Sequence, residues 1–342
     1  MKPFTLSTVV LAASLSGCQS VSHSTSESGY EVTSHVSQGV YQVEYLAAAR
    51  LADSTQALHR EMVNYCQNGH HNPALKTQWQ ATMQDWMALQ GQERGPVQAL
   101  EQSWNLQFWP DKKNTTGRKM SALTTSTWTA AEIAQQSVTV QGLGAVEWLL
   151  YDASSTLESS QTTCQTAQAI TETLANNANT IHQAWKTNPW QALNDEQWLA
   201  EYIALLSNQL EFSMKKMTLP LADFGQPRRY FAESWRSQVS MANLYANVEA
   251  MHALYLAGGN GLDARLRREG HSEHADRVLN QFELISTTWP KDDSLFTLLE
   301  SKEGYREAYA QYNKLEQLKY LIHDEVAVEL GVVIGFNATD GD

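Results

Sequence analysis

One carboxylate stands alone inside the most apolar helical stretch of this 342-residue chain. Residues 141–152 read Gln-Gly-Leu-Gly-Ala-Val-Glu-Trp-Leu-Leu-Tyr-Asp, and Glu147 is the only charged side chain before the final Asp. An ionised carboxylate without a partner in an apolar interior costs several kcal/mol or raises its own pKa. Glu147 must therefore meet a cation, a metal, hydrogen-bond donors or a proton. Gly142 and Gly144 allow another backbone or a ligand to approach closely just before it.

Two kinds of partner are compatible with Glu147. One is a buried ion pair with an arginine such as Arg118 or Arg236, which would lock two parts of the fold together. The other is a ligand. In that case the carboxylate lies in a cleft and binds a cation or a polar group beside the glycine turn.

Histidine motifs for metal chemistry are absent or incomplete. No His-Glu-x-x-His zinc motif occurs, and none of the ten histidines is followed three residues later by Glu. His271 and His274 are spaced at i and i+3, and Glu249-x-x-His252 is half of a di-iron motif. The adjacent histidines 70–71 precede a proline and predict an exposed turn. We expect all of these to be solvated or hydrogen-bonded residues rather than metal ligands.

The chain also lacks a recognisable nucleophile. No Gly-x-Ser-x-Gly turn is present, and the cysteines have no catalytic pattern. The formal net charge of −13 argues against a nucleic acid as partner and is compatible with cationic ligands. The residues by themselves therefore favour a binding role over catalysis.

The elements that must position these residues are helices. Apolar residues recur every three or four positions along almost the whole chain, and period-two alternation is scarce, which predicts an all-α protein. Short Pro, Gly or Asn segments between the helices are typical of antiparallel bundles. We predict two helical-bundle domains, 36–188 and 189–342, and a single third helix from Val97 to Phe108. The clearest apolar series is Cys164, Ala167, Ile170, Leu174, Ala178, Ile181 and Trp185.

The first 35 residues predict export and anchoring. A lysine, an apolar run and small residues before Cys18 give residues 1–17 the form of a secretory signal. Residues 15–18 read Leu-Ser-Gly-Cys and resemble a bacterial lipobox, so Cys18 is the expected acylation site; an ordinary signal peptide is the alternative. The serine-rich segment 18–35 predicts a flexible tether. Gln19, in place of Asp, favours the outer membrane, at its periplasmic face.

The other two cysteines form a natural pair. If Cys18 takes the lipid, Cys66 and Cys164 remain together in an oxidising compartment. A disulfide between them is the simplest arrangement and would close a loop of about 100 residues. The alternative is two buried free thiols.

The glycine-rich stretch resembles the signature of the imelysin-like family, bacterial envelope proteins grouped with the M75 peptidases, whose motif reads Gly-x-His-x-x-Glu. Here the pattern is Gly142-x-Gly144-x-x-Glu147, so a glycine stands where the family carries histidine. Other short segments match in the family's order: Gly95-Pro96-Val97, Trp109-Pro110-Asp111, residues 233–237, residues 243–247, residues 259–262 and the chain end 331–342.

The resemblance implies two helical bundles with the Glu147 segment at the cleft between them. It implies a binding component linked to the acquisition of iron or another divalent metal, with metal-uptake proteins as partners. An M75-type metallopeptidase and an interaction module without a small ligand are the alternatives. Gly144 weakens both the metal and the peptidase expectations, because one carboxylate does not replace a mixed set of His and carboxylate ligands. The candidate ligand-binding residues are Glu147, Gly142, Gly144, Trp109, Arg236 and Ser237, with Glu147 as the candidate metal ligand.

We predict that Cys18→Ser releases the protein from the membrane fraction or stalls its processing, because the acyl chains are attached at that residue. Intact-mass measurement of the mature protein checks this. Wild type should carry added lipid mass, and a wild-type mature protein without it would contradict the anchor.

Overall fold

The computed structural model describes residues 29–68 and 73–332, together with the backbone of Ser24–Thr25. Several features predicted from the sequence lie outside these residues: the signal segment 1–17, Cys18 and Gln19, the histidines 70–71, and the chain end from 333. The described part of the chain is helical apart from one small β-ribbon, and this confirms the all-α class.

The elements follow in this order: β1 (Ser24–Thr25), β2 (Glu31–Val32), α1 (Gln38–Gln67), α2 (Ala74–Met87), α3 (Val97–Leu100), α4 (Ser103–Leu106), α5 (Thr115–Leu123), α6 (Ala130–Ile133), α7 (Gly142–Tyr151), α8 (Gln161–Ala184), α9 (Asp195–Leu221), α10 (Ser240–Leu256), α11 (Leu262–Arg268), α12 (Ser272–Thr288), α13 (Leu295–Leu298), α14 (Lys302–Tyr320) and α15 (Ala327–Glu329). The two strands pair antiparallel. Short 3-10 turns lie at Val138–Val140, Arg229–Phe231 and Ala257–Gly259, and a π-helical turn lies at Leu321–Val326.

The first half of the chain is built around α1 and α8. The helix α1 packs along both α2 and α8, and α7 lies against α8 and α2. Buried residues at helical spacing, such as Leu51 and Leu58 of α1 and Ile170 of α8, form the contact. A disulfide between Cys66 and Cys164, whose Cα atoms are 5.6 Å apart, links the end of α1 to the start of α8.

The second half packs α9 against α10 and α14, with α12 against α10 and α14. The helix α10 also packs on α2, so the buried apolar residues of both halves form one continuous core. The predicted division into two domains after residue 188 stays a prediction. Within the described residues, every helix is too short or too polar to cross a lipid bilayer.

The prediction of one helix from Val97 to Phe108 is wrong. The segment forms two short helices, α3 and α4, and the chain turns extended at Gln107. Val97 and Trp104 are 68% and 54% exposed, so the apolar series does not form one buried stripe. The break places the next residues in a loop that reaches α7.

The last residues of the predicted tether lie against the body of the protein. The Tyr30 ring packs edge-on against Tyr41 of α1. The Glu31 carboxylate accepts a hydrogen bond from the backbone N–H of Asn188 over 3.1 Å, and His35 Nε2 lies 2.8 Å from the Leu193 carbonyl. Residues 29–35 therefore contact α1 and the connection between α8 and α9.

A second lone carboxylate, Glu44 of α1, is buried with 1% of its surface exposed. Its Oε1 accepts a hydrogen bond from Gln92 Nε2 over 2.8 Å, and no described residue donates to its Oε2. Burial raises the pKa of Glu44 to about 8, although the Gln92 hydrogen bond and the charge of Arg50 act in the opposite direction. We therefore expect the side chain to be mainly the neutral carboxylic acid at pH 7.

We predict that Glu44 makes the protein less stable as the pH rises. Its folded pKa of about 8 lies above the ordinary value of 4.5, so the proton's contribution is complete below pH 4.5 and is lost progressively as the pH rises toward 8. A tenfold difference in proton affinity between the folded and unfolded states is worth about 1.4 kcal/mol. Glu44→Gln keeps the Oε1 acceptor, so it should be more stable than wild type at pH 8 and about equal at pH 4.5.

Chemical denaturation at pH 4.5, 6 and 8 measures the effect. The exposed Glu172→Gln of α8 is the matched control, since it makes the same substitution on a helix surface. Equal pH profiles for wild type and Glu44→Gln would show that Glu44 is ionised in the folded protein.

Candidate functional site

The glycine turn that opens α7 is required by the backbone. Gly142 has a φ of +68°, and a Cβ at this position would lie 2.3 Å from the Leu106 carbonyl oxygen. A side chain here would need a displacement of the backbone. The Trp79 indole N–H donates to the Leu143 carbonyl over 3.1 Å. The turn therefore fixes the start of α7 against both α4 and α2.

Gly144 has no such requirement. Its backbone is helical, and a Cβ built on it would approach only the Phe108 carbonyl oxygen, at 4.0 Å. Gly144 and Glu147 are three residues apart on one helix and so share a face. The absent side chain at 144 leaves a gap beside the carboxylate.

Glu147 is 5% exposed and is held by Ser237. The Ser237 backbone N–H and hydroxyl both donate to Glu147 Oε1, over 2.9 Å and 2.8 Å. No described residue donates to Glu147 Oε2, and no described cation forms a salt bridge with it. Burial raises the pKa of Glu147; the Ser237 hydrogen bonds and the charge of Arg236 oppose this rise, and the charge of Glu233 adds to it.

The arginine suggested as an ion-pair partner has another partner. Arg236 Nε lies 2.7 Å from Asp152 Oδ2, and its Nη2 donates to Asn114 Oδ1 over 2.7 Å. Its guanidinium carbon lies 4.3 Å from the centre of the Trp235 ring. Burial alone would raise the pKa of Asp152, but the hydrogen bond and charge of Arg236 lower it overall. Arg236 therefore fastens the loop that carries Ser237 to the end of α7. It acts on Glu147 only through its charge, without a hydrogen bond.

The other suggested arginine is not a partner either. Arg118 is exposed, and its guanidinium donates to Thr115 Oγ1 over 3.5 Å. In the structure Glu147 is therefore hydrogen-bonded to Ser237 and does not form the ion pair with Arg118 or Arg236.

Sequence reasoning did not identify the pair that holds the Ser237 loop. Lys216 Nζ of α9 lies 2.7 Å from Glu233 Oε2, with 0% and 1% of the side chains exposed. Gln90 and Gln107 donate to Glu233 Oε1 over 2.6 Å and 3.0 Å. Burial lowers the pKa of Lys216, and the contact with Glu233 opposes this shift. The only sequence signal was Glu233 within a family-matching segment; nothing in α9 marks Lys216 as buried.

The candidate Trp109 closes the site from the other side. Its indole N–H donates to the Phe231 carbonyl over 3.1 Å, and the peptide bond to Pro110 is cis. Trp109 therefore connects the loop after α4 to the segment before α10. A cavity of about 40 Å³ remains between these loops and α7. Its lining is Gln107, Phe108, Trp109, Asp111, Thr116, Gly144, Glu147, Tyr230, Ala232, Ser234, Trp235 and Arg236.

The structure thus brings most of the predicted site residues together. The cavity is lined by Gly144, Glu147, Trp109 and Arg236. Ser237 contacts Glu147, and Gly142 forms the turn at the start of α7. The volume admits about three groups of the size of a water molecule. Within the described ranges, no three His, Cys, Asp or Glu side chains are placed to hold one metal ion. A metal role for Glu147 stays a prediction, and the neighbouring residues do not supply the ligand set that a bare ion needs.

The remaining histidine patterns lie elsewhere. His271 Nδ1 and His274 Nε2 lie 3.3 Å and 3.9 Å from the carboxylate of Glu329 near the chain end. His252 stacks on Phe282, with ring centres 4.8 Å apart. They do not join the Glu147 cavity.

This architecture defines a class of all-α proteins. In this class two helical halves enclose a buried carboxylate and a small cavity. A family model for imelysin, the M75 peptidase family, matches residues 41–322, so the chain belongs to the imelysin family. No curated protein sequence matches the chain.

Two solved structures share the fold. An imelysin-like protein from Psychrobacter arcticum 273-4 superposes with a TM-score of 0.73 at 20% identity, over 88% of this chain and 96% of that one. A candidate iron-regulated protein A precursor from Parabacteroides distasonis ATCC 8503 superposes with a TM-score of 0.64 at 12% identity, over 85% and 95% of the two chains. These matches confirm the imelysin-like fold expected from the sequence.

We predict that Glu147→Gln changes the free energy of unfolding by less than about 1 kcal/mol, because Gln retains the Oε1 acceptor and removes a buried charge. Loss of one member of a buried ion pair would instead cost about 3 to 5 kcal/mol. If the Glu147 carboxylate is ionised at pH 7, Ser237→Ala should cost about 1 to 3 kcal/mol in the wild type. In the Glu147→Gln background its cost should fall to about 0.5 to 1.5 kcal/mol.

A double-mutant cycle by chemical denaturation at pH 7 measures the coupling. Ser237→Ala with equal cost in both backgrounds would rule out a charged hydrogen bond between the two residues.

Proposed function

We propose that this imelysin-family chain is a binding component of the cell envelope that serves the acquisition of iron or another metal, with its ligand anchored on Glu147. The observation that carries the proposal is the half-satisfied carboxylate. Ser237 occupies Oε1, and no described residue donates to Oε2 on a side chain that lines a cavity. An acceptor without a donor on a side chain that lines a cavity offers a hydrogen-bonding position to a ligand.

The size of the cavity limits what enters it. About 40 Å³ accommodates a group of a few atoms. A larger ligand would place one end in the cavity and leave the rest outside, where other groups of the ligand can coordinate a metal. A ligand of this kind reconciles a metal-related role with the missing ligand set at Glu147.

The proposed location is the periplasmic face of the outer membrane, through acyl chains on Cys18, with metal-uptake components as partners. The lipobox-like residues 15–18 support the anchor, and the Parabacteroides relative, an iron-regulated precursor by its description, supports export and a link to iron. The charge of −13 supports cationic over nucleic-acid partners.

The peptidase alternative has weaker support. Metal-assisted hydrolysis needs a metal-bound water and a general base at one centre, and Gly144 stands where a histidine would complete the motif with Glu147. We expect the purified protein not to cleave peptides. Proteolysis abolished both by a chelator and by Glu147→Gln would reverse this preference.

We predict that a host strain carrying Glu147→Gln loses the metal-uptake function as completely as a deletion strain, because the ligand loses its charged anchor. Elemental analysis of cells grown under metal limitation measures the accumulated iron and other metals. Glu172→Gln, an exposed change of the same charge, should match wild type, and immunoblots of the membrane fraction should show equal protein levels.

Wild-type metal content in the Glu147→Gln strain would remove Glu147 from the proposed role. Elemental analysis of the purified protein before and after mild chelation then separates a metal that arrives with the ligand from one bound by the chain itself.

A further inference from the structure

Two hydrogen-bond acceptors beside the cavity at Glu147 receive no hydrogen bond from the described part of the chain. One is Glu147 Oε2, since Ser237 uses only Oε1. The other is the Phe108 carbonyl oxygen, to which no described residue donates. This carbonyl lies 4.0 Å from the place where a Cβ of residue 144 would be. The Phe108 carbonyl oxygen therefore faces the gap that Gly144 leaves, and the Glu147 side chain lines the same cavity.

The charge around the cavity is negative. Asp111 and Glu147 line it, and Asp152 lies beside Arg236, so three carboxylates are opposed by one guanidinium. The Asp111 carboxylate accepts hydrogen bonds from two backbone N–H groups at the start of α5, and Lys216 balances Glu233. An anionic ligand is disfavoured here, and a cation is favoured.

The walls of the cavity suit an organic cation. Phe108, Trp109, Tyr230 and Trp235 supply aromatic surface, and cations are attracted to aromatic rings in desolvated sites. A metal ion needs several oxygen, nitrogen or sulfur ligands, whereas a primary ammonium group needs only acceptors for its three N–H donors.

We propose that this cavity binds the primary ammonium group of a small organic amine, between Glu147 Oε2 and the Phe108 carbonyl oxygen. The inference rests on the proposed binding function and adds the chemical class of the ligand. The volume of about 40 Å³ suits the ammonium group with one or two carbon atoms better than a bulkier quaternary ammonium. Any longer chain extends out of the cavity.

Titration calorimetry on the full mature protein at pH 7.5 tests the proposal, with methylammonium, ethylammonium and 1,4-diaminobutane as probes. Tetramethylammonium and ethanol are the size and charge controls, at constant ionic strength. We expect saturable binding of the primary amines only. If none of the three amines shows saturable binding at constant ionic strength, the proposal is overturned.

Two variants locate the bound group. Glu147→Gln should weaken amine binding at least tenfold. Gly144→Ala should do the same by filling the gap, with an unchanged or higher Tm, because the site has helical backbone and room for a Cβ. The exposed Glu172→Gln should bind as wild type. Wild-type affinity in either cavity variant would overturn the proposal.

The outcomes for ligand class and for function are separable. If no amine binds but Glu147→Gln abolishes metal uptake in cells, the ammonium proposal fails and the binding function stands. If amines bind with the expected dependence but uptake is normal in Glu147→Gln, the ligand class stands and the metal-related function fails.

Discussion

The buried pair of Lys216 and Glu233 is the interaction on which the geometry of the site depends. Both side chains are excluded from water, at 0% and 1% exposure, with 2.7 Å between Nζ and Oε2. Such a pair persists only when the remaining donors and acceptors are also satisfied. Here Lys216 also donates to Gln90 Oε1 and Asn247 Oδ1, over 2.9 Å and 2.7 Å. The network joins α9 and α10 to the end of α2, and therefore joins the two halves of the chain.

The Lys216–Glu233 pair also determines the position of the loop that leads to the cavity. Glu233 fixes the start of residues 233–239, and the backbone then adopts left-handed conformations at Ser234 and Gln238, with φ of 52° and 60°. Non-glycine residues hold such conformations only when their surroundings determine them. Between these two points the loop delivers Arg236 to Asp152 and Ser237 to Glu147. The pair thus positions the loop that brings Ser237 to Glu147.

The helices were predictable because their apolar period is local information, and Glu147 was predictable because a lone charge in an apolar run needs a partner. The break between α3 and α4 was not, since it depends on which apolar residues the rest of the fold covers. The partner of Glu147 was also out of reach. A serine hydroxyl and an arginine one residue apart are equally good donors in the sequence, and only the left-handed turns around them decide which one reaches the carboxylate.

The two glycines of α7 have different roles, and at one of them the missing side chain creates the space of the site. Gly142 is demanded by its φ of +68° and by the Leu106 carbonyl, so its role is structural. Gly144 satisfies no backbone requirement and weakens its helix by about 0.5 to 1 kcal/mol relative to alanine. What the chain gains there is space in a cavity lined by Glu147, next to the Phe108 carbonyl oxygen, to which no described residue donates. An imidazole at 144 would fill that space and offer a nitrogen to a metal; its absence leaves an acidic gap shaped for a donor group instead.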